Sequence, residues 1–394
     1  MTGSRPGAFS YILPVAALVL AAALAAWPAL APAAHGPAAP FAALLAVALL
    51  CGAAFCTVAH ADLVADRVGQ PFGTLVLTLS VTVIEVSVIA SMMLHKGNNP
   101  TLARESVLSV LMIVNTAIVG LCLLLGGLKH REQTIQQQGV SGYLSVMIAL
   151  GVMLLILPSE TRAGATGTFS TVQLVYVAAI AIALYGAFLY MQTVRHREDF
   201  EGTPGAGHAG GTPGAGHAGG APGAGHAGGT PGAGHAAGAV SAGRFVLALA
   251  MLVLCLCAVV LLSKHVAAGF EDFLAHFALE DPDAVTGALV AALVLMPEAI
   301  GAVRAAARNH LQQSLNIALG SALATIALTI PAMAAISVLI GEPMVLGLDN
   351  EDRTMLLLTF VLAILSFGTG KTNALNGVVH LIVFCVYVLL LFAP

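Results

Sequence analysis

Residues 76–94 read VLTLSVTVIEVSVIASMML, an unbroken run of apolar and small hydroxyl side chains with one ionisable group, Glu85. Residues 289–310, LVAALVLMPEAIGAVRAAARNH, enclose Glu298 in the same manner. About 20 apolar residues suffice to cross the hydrocarbon core of a bilayer as a helix. A carboxylate at the centre of such a helix costs ~2.5–3.5 kcal/mol, and it is tolerated where it faces a cavity, a partner or an ion. A protonated carboxyl bonded to a neighbouring helix would account for either glutamate alone. Two glutamates in matching places point to a shared chemical role.

The rest of the chain has the same character. Of 394 residues, 58% are hydrophobic and only 9% are charged, with 15 basic and 19 acidic side chains, whereas a soluble domain carries roughly 25% charged residues. The mean hydropathy is +0.94. Such a chain cannot cover a soluble surface. Its net charge of -4 says little about nucleic acid, but with no basic stripe none is expected as a partner, leaving the lipid bilayer. Eleven stretches are predicted to cross the membrane: Phe9–Leu30, Phe41–Val58, Phe72–Leu94, Ser106–Leu128, Gly142–Leu157, Val172–Met191, Phe245–Leu262, Thr286–Ala306, Leu315–Ile340, Met355–Phe367 and Ala374–Phe392. The first follows Arg5 but exceeds the about 7–15 residues of a secretory signal core, and is read as a helix. Cys51, Cys56, Cys122, Cys255, Cys257 and Cys385 all lie in apolar runs with no C-x-x-C pair, which predicts small buried hydrophobes.

Basic residues orient the spans. With the N-terminus in the cytoplasm, inner segments hold Arg5, Arg67, Lys129, Arg131, Arg195, Arg197, Arg244, Arg304, Arg308 and Lys371, and outer segments hold Lys96, Arg104, Arg162, Lys264 and Arg353. Ten against five places the C-terminus outside. Residues 203–238 are a nine-residue repeat, TPGAGHAGG with minor variants, dominated by Gly and Pro. This segment lacks the apolar surface to offset its ordering entropy and is predicted to be a disordered cytoplasmic linker. The predicted organisation is an N-terminal helix over 1–39, a five-helix repeat over 40–193, the linker region over 194–243, and a second five-helix repeat over 244–394. An odd number of spans per half inverts the second half relative to the first, as in many secondary transporters.

Polar side chains follow each glutamate. After Glu85 come Asn98, Asn99, Ser106, Ser109 and Asn115; after Glu298 come Asn309, Ser314, Asn316, Ser321 and Thr325. Glu85 to Ser109 is 24 residues and Glu298 to Ser321 is 23. Ser314, Ser321 and Thr325 share one helical face; small-residue helix packing is the competing explanation for such positions. Carboxylate, hydroxyl, amide and backbone oxygens suit a hard cation. A carboxyl that holds either a proton or metal is sufficient for antiport. Two glutamates suit one divalent ion against two protons, and a monovalent ion against fewer protons is also allowed. Pro297, directly before Glu298, removes a backbone donor and predicts a kink there.

Three stretches carry a resemblance to a known family: GTLVLTLSVTVIEVSVIA from Gly73, PEAIGAVRAAARNHLQQSLNIALGSALATIALTIP from Pro297, and SFGTGKTNALNGVVHL from Ser366. They resemble the calcium/cation antiporter superfamily, in particular the bacterial ChaA-type cation/proton antiporters. The resemblance implies two inverted five-helix repeats plus an extra helix, in the bacterial inner membrane. It also implies that Glu85 and Glu298 are the paired acidic residues that bind metal. Calcium/proton exchangers of the superfamily usually show G-N-x-x-E. Here Val81 and Thr82 precede Glu85, and Val294 and Leu295 precede Glu298. Leu323, Ala324 and Thr325 stand where those exchangers carry a glutamine after G-S. With these amides missing, the resemblance implies broad specificity, with Na⁺ and K⁺ beside Ca²⁺. The expected site comprises Glu85 and Glu298 with Thr82, Ser109, Asn115, Asn309, Ser314, Asn316, Ser321 and Thr325. No cofactor is expected beyond the transported ion and protons.

Other signals are weaker. GTGKT at Gly368–Thr372 lacks the earlier glycine of a phosphate-binding loop, because Leu365 occupies that place. His380 in the last span suits either a proton relay or a packing histidine. His208, His217, His226 and His235 in the repeat suggest a transition-metal carrier as an alternative, although such a carrier would be expected to use His and Asp within its spans. An intramembrane enzyme would need a Ser/His pair, two Asp or H-E-x-x-H, and no predicted span supplies one.

Overall fold

The computed structural model describes residues 7–27, 39–69, 72–93, 99–161, 165–200, 241–274, 281–341 and 343–393. The repeat over 203–238, Asn98, Lys96 and Arg162 lie outside the described residues. The helices in chain order are α1 (Phe9–Ala26), α2 (Ala39–Val68), α3 (Phe72–Met93), α4 (Leu102–His130), α5 (Gln137–Glu160), α6 (Thr171–Arg195), α7 (Ala242–Leu274), α8 (Pro282–Val294), α9 (Met296–Ala307), α10 (Leu311–Ile340), α11 (Asn350–Phe367) and α12 (Ala374–Phe392). A single helical turn, Arg197–Phe200, follows α6.

Within the described residues each predicted stretch overlaps helix, but fewer than the expected eleven have the length and composition of a crossing. Among the described residues, nine helices are long and apolar enough to cross a membrane, and the pair α8 and α9 makes a tenth crossing bent by 57°. α11 opens with Glu351, Asp352 and Arg353 and is uncharged from Thr354 onward. The chain is thus an all-α polytopic membrane protein. The predicted kink at Pro297 is a full break: α8 ends at Val294 and α9 begins at Met296. Pro297 has no N–H to return to the turn before it, so the helix restarts with proline in its first turn.

α4 and α10 form the centre. Buried residues make up 78% and 61% of their most apolar windows, against 22% for α1 and α12. Around them, α8, α9 and α12 pack on α4, while α5, α6 and α9 pack on α10; α1, α2, α3 and α7 form an adjoining group. Both central helices contain a turn of wider, π-helical winding, Ile113–Ile118 in α4 and Thr325–Thr329 in α10. Such turns interrupt the regular ladder and recur at functional sites. The carboxylate helices pack on these turns crosswise: α3 lies against the turn of α10, and α9 against the turn of α4.

α4 starts at Leu102, earlier than Ser106, so that Arg104 and Glu105 are enclosed. Arg104 Nε donates to Glu105 Oε1 at 2.7 Å, one terminal nitrogen donates to Asp349 Oδ2 at 2.6 Å, and the other to the Gly347 carbonyl. Burying this guanidinium is tolerable because each of its three nitrogens donates to an acceptor, two of them carboxylates. Lys371–Asn373, from the GTGKT stretch, forms a short strand, β2, antiparallel to β1 (Glu132–Thr134), with Gln133 opposite Thr372. The cysteines divide: Cys56, Cys122 and Cys255 are buried, Cys51 is half-buried, and Cys257 and Cys385 face outward, contrary to the expectation that all six are enclosed. On a lipid-facing surface an apolar thiol needs no burial.

Candidate functional site

Glu85 lies past the middle of α3 and is 2% exposed. Its Oε2 accepts hydrogen bonds from Thr325 Oγ1 at 2.9 Å and Thr329 Oγ1 at 3.0 Å. Both donors sit in the wide turn of α10, one helical turn apart on the same face, and both are buried. Glu298 occupies the first turn of α9, at the positive end of that helix's dipole. It is within electrostatic range of Glu85 and also of Asp62 on α2. The bend at Pro297 is what turns α9 so that Glu298 enters this space.

A cavity of about 250 Å³ runs beside the pair. Glu298, Thr82, Ser321 and Thr325 line it, as do Leu77, Gln192, Gln313 and Asn316, which lie toward the start of α3, the end of α6 and the start of α10, at one face of the bundle. That face is the one at which α2 ends with Arg67, α6 with Arg195, and α9 with Arg304. Aromatic rings close over its side. Tyr143 meets Phe188 at a tilt at 4.9 Å and Phe200 edge-on at 5.5 Å, and Gln192 Nε2 donates to the Tyr143 hydroxyl at 2.5 Å.

The sequence-predicted residues fall into two groups. Glu85, Glu298, Thr82, Ser321, Thr325 and Asn316 meet at or beside the cavity. Thr82 spends its hydroxyl proton on the Thr78 carbonyl at 3.0 Å, and Asn316 Nδ2 donates to the Phe200 carbonyl at 2.6 Å. Asn115 lies in the wide turn of α4, against which α9 packs. The structure brings the remaining three elsewhere. Ser109 is hydrogen-bonded to the Tyr387 hydroxyl at 2.7 Å. Ser314 is buried beside Cys122. Asn309 is exposed at the end of α9 with φ of 64°, accepting from Gln133 Nε2 at 2.9 Å.

Two further residues belong with the site. Thr329 repeats the Thr325 bond four residues later, a spacing visible in ATIALTIP although the expected site stops at Thr325. Asp62 lies in the part of α2 beyond Val58, where the apolar run weakens although the helix continues to Val68.

Glu85 Oε1, Glu298 Oε2, Asn115 Oδ1 and Ser321 Oγ are buried with no hydrogen-bond partner among the described residues. A buried polar atom without a partner costs roughly 1–3 kcal/mol, and a carboxylate oxygen more. Glu298 and Ser321 line the cavity, Glu85 is bonded to its lining Thr325, and Asn115 lies in the turn on which α9 packs; carboxylate, hydroxyl and amide oxygens of this kind match the ligand set of a hard cation. Among the described residues, no three His, Cys, Asp or Glu side chains gather as a metal cluster. Coordination here would therefore draw on neutral oxygens and water beside the two carboxylates.

Comparison with known proteins identifies the family and the fold. The model of the family described as sodium/calcium exchanger protein matches residues 38–194 and 247–393. The chain is 39% identical over 357 residues to the y4hA protein of Sinorhizobium fredii, covering 89% of this chain and 88% of that one. It is 34% identical over 356 residues to the sodium-potassium/proton antiporter ChaA of Escherichia coli, with the same coverage. Among solved structures, native YfkE superimposes with a TM-score of 0.68 at 16% identity, covering 98% of this chain and 100% of that chain. The H⁺/Ca²⁺ exchanger CAX gives 0.61 at 16% identity, covering 96% and 88%. These two likenesses are of fold. Matched over most of its length in two segments, the chain belongs to the sodium/calcium exchanger protein family.

Proposed function

We propose that this cation exchanger moves Ca²⁺, Na⁺ or K⁺ out of the cytoplasm against entering protons, by letting cation and protons compete for Glu85 and Glu298. The carrying observation is the bond pair from Thr325 and Thr329 to Glu85 Oε2, which leaves Oε1 free for a ligand beside the cavity that Glu298 lines.

In this reading the two hydroxyls fix the Glu85 carboxylate, so that little side-chain freedom is lost when a cation arrives. Glu298 supplies the second charge, with Ser321 and Asn115 as neutral ligands. One divalent ion replaces two protons without changing the charge of the site. Release of the ion on the far side leaves two carboxylates that repel each other, and protonation relieves that repulsion. The crosswise packing of α3 and α9 on the two wide turns supports an inverted-repeat arrangement, in which each half presents a carboxylate helix to the other half's central helix. Rocking of one half against the other then exposes the same site to either face. The cavity's approach from the Arg67, Arg195 and Arg304 end supports an inward-open form when that end is cytoplasmic. ChaA is named as a sodium-potassium/proton antiporter, which supports monovalent ions as substrates here as well.

The test is exchange in inverted vesicles. Addition of Ca²⁺, Na⁺ or K⁺ to vesicles holding an imposed pH gradient should dissipate it. No response to any of the three between about pH 7 and 9, above the ordinary range of a carboxyl group, would sink the reading.

A further inference from the structure

From the geometry around α12 we infer that His380 is a positioning residue for the exchange site: it captures the backbone carbonyl that the wide turn of α4 releases at Asn115, and so holds the Asn115 side-chain oxygen in place.

The carbonyl is released by the winding itself. In a regular helix Val119 N–H would bond to the Asn115 carbonyl. Here it bonds to the carbonyls of Val114 and Thr116 instead. His380 Nδ1 reaches the Asn115 carbonyl at 2.6 Å. A carbonyl only accepts, so Nδ1 carries the proton, and in the neutral ring Nε2 is an acceptor. Ser366 Oγ stands 3.0 Å from Nε2 and donates to it. The tautomer and ring plane are thereby set from both sides, and the side chain is fully buried.

α12 reaches this position because glycines remove the side chains that would keep it away from α4. A Cβ on Gly377 would come within 2.4 Å of the Leu124 backbone nitrogen, and one on Gly120 within 3.1 Å of His380 Cβ. At the other side of the same residue, Asn115 Nδ2 donates to the Leu111 carbonyl at 2.8 Å. With its carbonyl and its amide nitrogen both tied, Asn115 has one free group, Oδ1, which is buried without a partner among the described residues. The helix carrying Glu298 packs on this turn. A ligand oxygen held by such an outer partner typically loses roughly 10–100-fold in metal affinity when that partner is removed.

This role rests on the antiport reading, and the test separates the two. Initial rates of cation-driven proton release would be measured in inverted vesicles for the wild type, His380→Asn, His380→Gln, Asn115→Ala and the His380→Gln/Asn115→Ala pair. Asn places an N–H where Nδ1 was; Gln places it where Nε2 was and leaves the Asn115 carbonyl unbonded. His380→Gln should raise the cation KM about tenfold or more with a nearly unchanged maximal rate, and His380→Asn should stay near the wild type. His380→Gln should add little once Asn115 is Ala. Equal KM values for the Asn and Gln variants, or full additivity with Asn115→Ala, would overturn the positioning role. Glu298→Gln in the same vesicles judges the parent reading. Exchange retained there overturns antiport at this site, whereas exchange lost there with a normal KM in His380→Gln overturns the positioning role alone.

Discussion

Thr325 donates a hydrogen bond to Glu85 at 2.9 Å across 240 residues of sequence. The bond joins the first half of the chain to the second near the middle of α3 and α10, and Thr329 doubles it at 3.0 Å. A carboxylate held by hydroxyls from a different helix is placed by tertiary packing, so changes on either helix should be felt at the same ion.

Replacing either glutamate by glutamine removes a charge and a proton site while keeping the shape. Glu85→Gln and Glu298→Gln should each reduce exchange to the level of vesicles without the protein, with normal amounts in the membrane by immunoblot. Near-normal exchange in either variant removes that residue from the site.

Thr329→Val and Thr325→Val each delete one hydrogen bond to a carboxylate, a loss of ~1.5–3 kcal/mol. Each should raise the cation KM by roughly ten- to a hundredfold, since ~1.4 kcal/mol corresponds to tenfold. Thr→Ser at the same positions should restore most of it. If valine at both positions leaves KM unchanged, the bonds to Glu85 have no part in binding.

Competition has a definite sign with pH. Protons and cation occupy the same carboxylates, so raising the external-buffer pH should lower the apparent cation KM while the maximal rate at saturating cation changes little. KM values measured in half-unit steps across neutral pH test this. A KM independent of pH argues for separate proton and cation sites.

The cavity is approached from the end at which α6 and α10 present Gln192 and Gln313. In a background freed of the outward-facing Cys257 and Cys385, Gln313→Cys should react with a membrane-impermeant maleimide in inverted vesicles and not in right-side-out ones. The opposite pattern would reverse the assigned topology.

Deletion of residues 203–238 should leave the cation KM and maximal rate within about twofold of the wild type, because a Gly- and Pro-rich repeat adds no packed surface. Loss of exchange would give the repeat a part in transport.

Much of this protein is legible as a linear string. Hydrophobic length alone marks the spans, because a bilayer imposes the same thickness on every helix that crosses it. The isolation of Glu85 and Glu298 in apolar runs marks them as costly residues that need a partner, and Pro297 marks a break beside one of them. Local composition is silent on what depends on how helices meet. Whether a serine among small residues faces the ion or a neighbouring helix is one such matter: Ser321 lines the cavity, while Ser109 turns to Tyr387. The wide turns at Ile113–Ile118 and Thr325–Thr329 are another, since a single shifted backbone bond leaves no mark in a hydrophobic pattern. Asn309 carries the right oxygen in the right half, yet the chain reverses at it and leaves it at the surface. His380 meets Asn115 across 265 residues because glycines admit α12 to α4. Sequence spacing sets positions along each helix axis, but the rotation of that axis against its neighbours is set by packing between segments distant in the chain.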